Sequence, residues 1–311
     1  MTRPGLYEAY LALLRSELVP ALGCTEPIAV AYAAAKAREA LGSMPERLEV
    51  RCSGNIVKNV KGVTVPNTGG LKGVDAAAIA GVVGGKPDRG LEVLESLGDD
   101  DRAETKRLRE SGFCAVSLAE GVEGLHIEVR AFSGDDSAEV LIAGSHTNIR
   151  RVARNGLVLF EGGAPAAARG AKPGAAPDRS LLNVRDILEF AESVRMEDVG
   201  ELLAGQVRMN CAISDEGLRR PYGADIGKTL LKCFGSDLRT RAKARAAAGS
   251  DARMSGCALP VVINSGSGNQ GMTVSLPVVE YAREYGASEE ALHRALVLSN
   301  LVSIHQKTSI G

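Results

Sequence analysis

Five segments of the chain combine residue types and spacings that could do chemistry. Cys24 stands in Gly23-Cys24-Thr25-Glu26-Pro27, directly before an alanine-rich helical pattern. Backbone N–H groups and the dipole at a helix start favour thiolate, the form that ligates metal or attacks carbon. A small buried cysteine beside a helix cap is the competing explanation. The second segment is Ser265-Gly266-Ser267-Gly268-Asn269-Gln270-Gly271, set between the apolar run Leu259–Ile263 and a helical pattern containing Met272–Tyr281. Its glycines let backbone approach a ligand, and successive N–H groups can cradle an anion at a helix N-terminus. Asn269 and Gln270 add donors and acceptors suited to the carboxylate and ammonium of an amino acid. No Gly-Lys-Ser/Thr closes this loop and the dinucleotide spacing is missing. A tight structural turn would use the same residues.

The third segment, Ser53-Gly54-Asn55-Ile56-Val57-Lys58-Asn59-Val60-Lys61, alternates polar with apolar residues. On a strand, Asn55, Lys58 and Lys61 need not share a face, and solvated edge charges are the ordinary explanation. His146, in Ser145-His146-Thr147-Asn148, follows a strand-like run, where a loop could present it as an acid or base. The fifth, His305-Gln306-Lys307-Thr308, puts polar groups on a mostly apolar terminal helix; a desolvated Lys307 could act as a base.

The elements that must position these residues follow from periodicity. Helical spacing runs over 6–19 and from about Glu26 to Leu41, with Thr25 as a cap, Pro27 in the first turn and Gly42 as the stop. Strand-like alternation covers Leu48–Cys52 and Asn55–Val65, and helices return over 74–84, 88–97 and 100–111. From Phe113 to Phe160 the texture is strand again, in Cys114–Leu118, Leu125–Phe132, Ala138–Ile142 and Leu157–Phe160. The predicted fold is mixed α/β (α+β). A mostly helical catalytic unit, residues 1–45 and 180–311, carries an inserted α+β unit, residues 46–162, built around an antiparallel sheet. The Ala/Pro/Gly-rich stretch 163–179 reads as a linker or surface loop. The last helix, from Ser288, is still in full period when the chain ends, so the chain is expected to be cut short there.

Composition narrows the function classes. With 37 basic and 38 acidic residues the 311-residue chain carries a net charge of −1, which leaves no footprint for nucleic acid and no polybasic membrane patch. Charges interrupt every apolar run before it reaches a membrane span, and the first residues form no signal peptide, so a cytoplasmic protein is expected. The six cysteines, at 24, 52, 114, 211, 233 and 257, show neither C-x-x-C nor a paired zinc pattern.

Taken together, GCTEP at 23–27, SGNIVKN at 53–59, HTN at 146–148, SGSGNQG at 265–271 and HQKTSIG at 305–311 resemble the L-cysteine desulfidase family, which is related to the α chain of iron–sulfur L-serine dehydratases. The resemblance implies a pyridoxal-free β-elimination: cysteine to hydrogen sulfide, ammonia and pyruvate, or serine to ammonia and pyruvate. It implies a 4Fe–4S cluster held by three cysteines, with one iron open as a Lewis acid. On that reading Cys24 is a cluster ligand, and the other two cysteines are expected beyond Gly311. Asn55, Ser265, Gly268, Asn269, Gln270 and Gly271 become substrate contacts, with His146 and Lys307 as candidate bases. The expected partner is a small amino acid, with no nucleic acid and no membrane; a homo-oligomer is compatible with all of this. Two rival readings are a pyridoxal-phosphate lyase, drafting Lys58, Lys61 or Lys307 as Schiff base, and a non-catalytic amino-acid-binding remnant.

Overall fold

The computed structural model describes residues 4–162 and 178–310 and is mixed α/β. The chain opens with α1 (Pro4–Glu17) and a short β1 (Pro20–Leu22), followed by α2 (Thr25–Leu41), β2 (Arg47–Cys52), α3 (Gly54–Lys61), α4 (Val74–Gly84) and α5 (Asp99–Glu110). Five strands come next: β3 (Cys114–Leu118), β4 (His126–Ser133), β5 (Asp136–Ala143), β6 (Ile149–Arg154) and β7 (Leu157–Glu161). The remainder comprises α6 (Val184–Ser193), α7 (Met196–Arg219), α8 (Ile226–Phe234), α9 (Leu238–Met254), β8 (Pro260–Val262), α10 (Gly268–Glu284) and α11 (Glu289–Ile310). No described helix is long and apolar enough to cross a membrane.

Two compact units emerge. The first comprises Met1–Ala21, Gly174–Arg253 and Leu259–Gly311; the second comprises Leu22–Pro173 and Met254–Ala258. The sequence reading placed residues 22–45 with the helical unit. The structure groups them with the sheet, because α2 lies along β4, β5 and β6 and buries an alanine face there. Of the linker expected at 163–179, residues 163–177 lie outside the described residues. Asp178 caps a 3-10 turn at Arg179–Leu181 by accepting from the Ser180 amide at 2.9 Å.

In the first unit α1 supplies Tyr10, Leu13 and Leu14 to a core completed by Phe190 of α6, Leu203 of α7 and Leu301 of α11. Phe190 receives Tyr7 and Tyr10 edge-on, with ring centroids 5.2 and 5.5 Å away. A two-stranded sheet pairs β1 with β8.

The second unit is a six-stranded sheet of order β3-β2-β4-β5-β6-β7. β3 runs parallel to β2 and the other pairs are antiparallel, so the expected antiparallel meander has a parallel edge strand. One face, carrying Val50, Val129 and Val140, is buried under α2 and α4. The opposite face is laced by ion pairs such as Arg51–Glu128 at 3.4 Å and Arg130–Glu139 at 3.1 Å. That division is ordinary for an antiparallel sheet with one wet side.

Several local expectations are corrected. Asn55–Val65, read as strand, begins as helix α3: Ile56 and Val60, four residues apart, are its buried positions, and period-2 alternation over so few residues mimics this spacing. The helix expected over 88–97 is a 3-10 turn at Pro87–Glu92, broken where Gly90 takes φ 54°. β6 was missed because Ile-Arg-Arg-Val-Ala-Arg carries arginines at strand positions; Arg151 faces Glu139 at 3.7 Å. Cys24, rather than Thr25, is the N-cap residue of α2, and Gly42 ends that helix in the left-handed region at φ 84°.

Burial pushes the thiols of Cys52 and Cys114 up to about 12. Against their ordinary value of 9.0 this lowers the thiolate fraction at neutral pH about a thousandfold. Treating the native protein with a maleimide at pH 7 is therefore expected to modify exposed Cys233 and to leave Cys52 and Cys114 untouched until denaturant is added. Peptide mass spectrometry reads the result; comparable labelling of all three in the native state would contradict it.

Candidate active site

In the first unit the segment after β8 makes a two-residue turn. The Asn264 amide donates to the Ser267 carbonyl at 3.1 Å and the Ser267 amide returns a bond to Asn264 at 3.0 Å. Ser265 and Gly266, at φ 50° and 77°, are both left-handed, as a type I′ turn requires. Ser267 then caps α10, its Oγ accepting from the Gln270 amide at 3.3 Å. The first-turn amides of Gly268 and Asn269 have no intrahelical acceptor and stand at the positive end of the helix dipole.

Two glycines are dictated by close approach. A Cβ on Gly268 would run into the Arg253 guanidinium, whose Cζ would lie 2.8 Å away, and one on Gly271 would lie 3.0 Å from the Ile263 carbonyl carbon. Arg253, near the end of α9, is only 2% exposed, and its Nη1 donates to Asn269 Oδ1 at 2.9 Å. A buried guanidinium and a helix N-terminus thus converge beside Gly268, an arrangement that favours an anion such as a carboxylate. Sequence reasoning missed Arg253, because in Asp251-Ala252-Arg253-Met254 it reads like Arg239, Arg241 and Arg245 earlier in α9, which are exposed or half-buried.

Beneath the loop lies a carboxamide network with no exposure at Gln206, Asn264 or Asn300. Gln206 of α7 and Asn300 of α11 bond reciprocally, Nε2 to Oδ1 at 3.0 Å and Nδ2 to Oε1 at 2.9 Å. Asn264 donates to Asn300 Oδ1 at 3.0 Å, tying the turn to both helices. Buried amides with every contact matched hold one arrangement strongly.

In the second unit GCTEP, SGNIVKN and the loop Val65–Gly70 meet. Gly23, at φ 60°, lies against Pro66, whose Cβ would be 3.3 Å from an added side chain. The Cys24 thiol, 4% exposed, donates to Glu26 Oε2 at 2.9 Å, and Asn59 Nδ2 donates to Glu26 Oε1 at 3.3 Å. Among the described residues no group of three His, Cys, Asp or Glu side chains could hold a metal ion. Cys52 and Cys257 are buried, Cys114 is half-buried in the sheet, and Cys211 accepts from Arg283 at 3.5 Å. Burial pushes the Cys211 thiol up, with Arg283 and Arg245 opposing.

The remaining candidates are dispersed. Asn55 is exposed on α3, and because that segment is helical it shares a face with Lys58 and Asn59, contrary to the strand reading. His146 is half-buried in the turn between β5 and β6, which Asn148 braces by donating to the Ala143 carbonyl at 2.7 Å. Lys307 is half-buried on α11, two residues after His305 and so on the opposite side of the helix. The buried Nδ1 of His305 has no hydrogen-bond partner among the described residues. Cys24, Asn55 and His146 thus belong to the second unit, while Ser265–Gly271 and Lys307 belong to the first.

Residues 88–311 match the sequence model of the serine dehydratase alpha chain. A UPF0597 protein of Lachnoclostridium phytofermentans is 50% identical over 306 residues, spanning 98% of this chain and 72% of its own length. One from Desulfitobacterium hafniense is 50% identical over 305 residues, spanning 98% and 70%. Another, from Treponema denticola, is 44% identical over 310 residues, spanning 98% and 71%. No solved structure matches the chain.

Proposed function

The chain belongs to the serine dehydratase alpha chain family and to the UPF0597 proteins that share its sequence, and from that premise we propose that it is a lyase acting on L-cysteine or L-serine. The Cα–H and Cβ–S or Cβ–O bonds break and a Cα=Cβ double bond forms. The aminoacrylate tautomerises to an imine, and water converts that to pyruvate and ammonia. The leaving group departs as hydrogen sulfide or water.

The observation that carries this reading is the junction of Arg253, Gly268 and the α10 N-terminus, a seat for the carboxylate of a small amino acid. Ser265, Gly268, Asn269, Gln270 and Gly271 are the substrate contacts on this reading. The type I′ turn and the amides beneath it keep the seat rigid, so little ordering is left for binding to bring about. His146 and Lys307 are the candidate groups for taking the α-proton.

The family also implies a 4Fe–4S cluster, which when bound supplies a Lewis-acidic iron. Cys24, a buried thiol at the α2 N-terminus, is the described residue suited to ligate it. The described residues assemble no three-ligand set, so one thiol is as far as they fit the cluster and no step is assigned to it.

The test is pyruvate release from L-cysteine and L-serine by the full-length gene product, prepared anaerobically, with iron and sulfide analysed on the same sample. Pyruvate from either substrate, with stoichiometric sulfide from cysteine, is the expected result. Amino-acid binding without pyruvate from an iron-loaded sample would leave a binding protein. Turnover with a Schiff-base absorbance band and no iron would point to pyridoxal phosphate instead.

A further inference from the structure

Gln270 is the third residue of α10, and the direction of its side-chain amide is set by hydrogen bonds that begin at backbone carbonyls. The carbonyl oxygen of Asn300 can only accept, so the Asn264 atom 3.3 Å from it is the amide nitrogen Nδ2. Asn300 is oriented the same way, since its Nδ2 donates to the Leu296 carbonyl at 2.8 Å. With Asn264 so turned, its Oδ1 is the end that faces Ser265 and Gln270. Ser265 Oγ donates to that oxygen at 3.0 Å, and Gln270 must present Nε2, which donates at 3.2 Å. The same Nε2 donates to Ser303 Oγ at 2.6 Å.

Both N–H bonds of the Gln270 amide are therefore directed into the protein. Its Oε1 accepts no hydrogen bond among the described residues and is not sealed in the interior, so it is open to a partner from outside the protein. A glutamine able to flip would offer a ligand either an oxygen or an NH2 group. This one offers an oxygen alone.

Resting on the amino-acid reading above, we infer that Gln270 Oε1 accepts a hydrogen bond from the substrate's α-ammonium group, and that Asn264 and Asn300 are positioning residues that keep this oxygen turned outward. The loop then has two polarities. Arg253 and the α10 N-terminus favour an anion, and Gln270 contributes a neutral acceptor for a cation. That pairing suits an α-amino acid and discriminates against a carboxylic acid lacking the amino group. Neutrality matters as well: a carboxylate at position 270 would compete with the substrate carboxylate for the same positive ground.

The test compares two ligands that differ only in the ammonium group: L-alanine, which has no β-leaving group and is not turned over, and propionate. Their dissociation constants are measured by NMR titration of the full-length gene product, which reaches the millimolar range. Gln270→Met, of similar length but with no amide, is expected to weaken L-alanine about tenfold or more while propionate changes less than twofold. Asn264→Leu should lose the same discrimination. Ser303→Ala, which removes one acceptor of the Gln270 amide without disturbing packing, should lose two- to threefold of it. Equal weakening of both ligands in Gln270→Met, or no weakening of either, overturns this inference while leaving the amino-acid reading intact. A wild-type protein that binds neither ligand overturns both.

Discussion

Replacing Gly81 with alanine is expected to lower the thermal midpoint of unfolding by about 6–12 °C, as a loss of about 3 kcal/mol does in a unit of this size. Gly81 of α4 sits against Ala31 of α2. A Cβ there would overlap the Ala31 carbonyl oxygen, with the carbonyl carbon and Cα of Ala31 both 2.9 Å away. Those are backbone atoms in the middle of a buried helix, so no side chain can swing aside. Retreat is closed as well, because α2 is backed by β4 and β5 and α4 by α5. The sign makes the test sharp. Helix propensity alone would have alanine stabilise α4 by about 1 kcal/mol. Differential scanning calorimetry or urea denaturation decides, and a midpoint that stays level or rises would mean the two helices are less tightly engaged than their geometry states.

Gly268→Ala is expected to abolish carboxylate recognition with a much smaller effect on folding. The added methyl would displace the Arg253 guanidinium and press on Val261 Cγ2, 2.8 Å from its position. Arg253 is only 2% exposed, so its guanidinium has little room to yield without disturbing its bond to Asn269. L-alanine and propionate should then both lose at least about tenfold in affinity, since each presents a carboxylate to the same place. This pattern differs from that of Gln270→Met, which spares propionate. Unchanged affinity for both ligands in a folded Gly268→Ala protein would remove the seat beside Gly268 from the reaction.

What was legible in the sequence, and what was not, divides along physical lines. The start and end of α2 could be read because Pro27 and Gly42 act through backbone dihedrals, which are local. The loop at 265–271 was legible for the same reason: two left-handed residues and a serine cap are written in consecutive letters. α3 was misread because its Ile56 and Val60 spacing fits alternation as well as a helix, and only packing separates the two. Arg253, Asn264, Asn300 and Gln206 were invisible as site residues. Each is a polar letter on a helix or turn that reads as solvated, and Gln206 meets Asn300 across 94 residues of chain. Long-range complementarity of that kind has no local signature.

The discontinuity of the first unit has a consequence during synthesis. The Tyr10 hydroxyl donates to the Leu181 carbonyl, 171 residues later, and α11 arrives later still to cover Leu13 and Leu14. At about 5–20 residues per second a ribosome takes roughly 10–30 s to span such an interval. For that time the apolar face of α1 hangs uncovered on the nascent chain, while the strands of the second unit, all made in between, are already able to pair. Helix α1, made before the whole of the second unit, is thus among the last to find its place, and the waiting interval is when a chaperone would have most to hold.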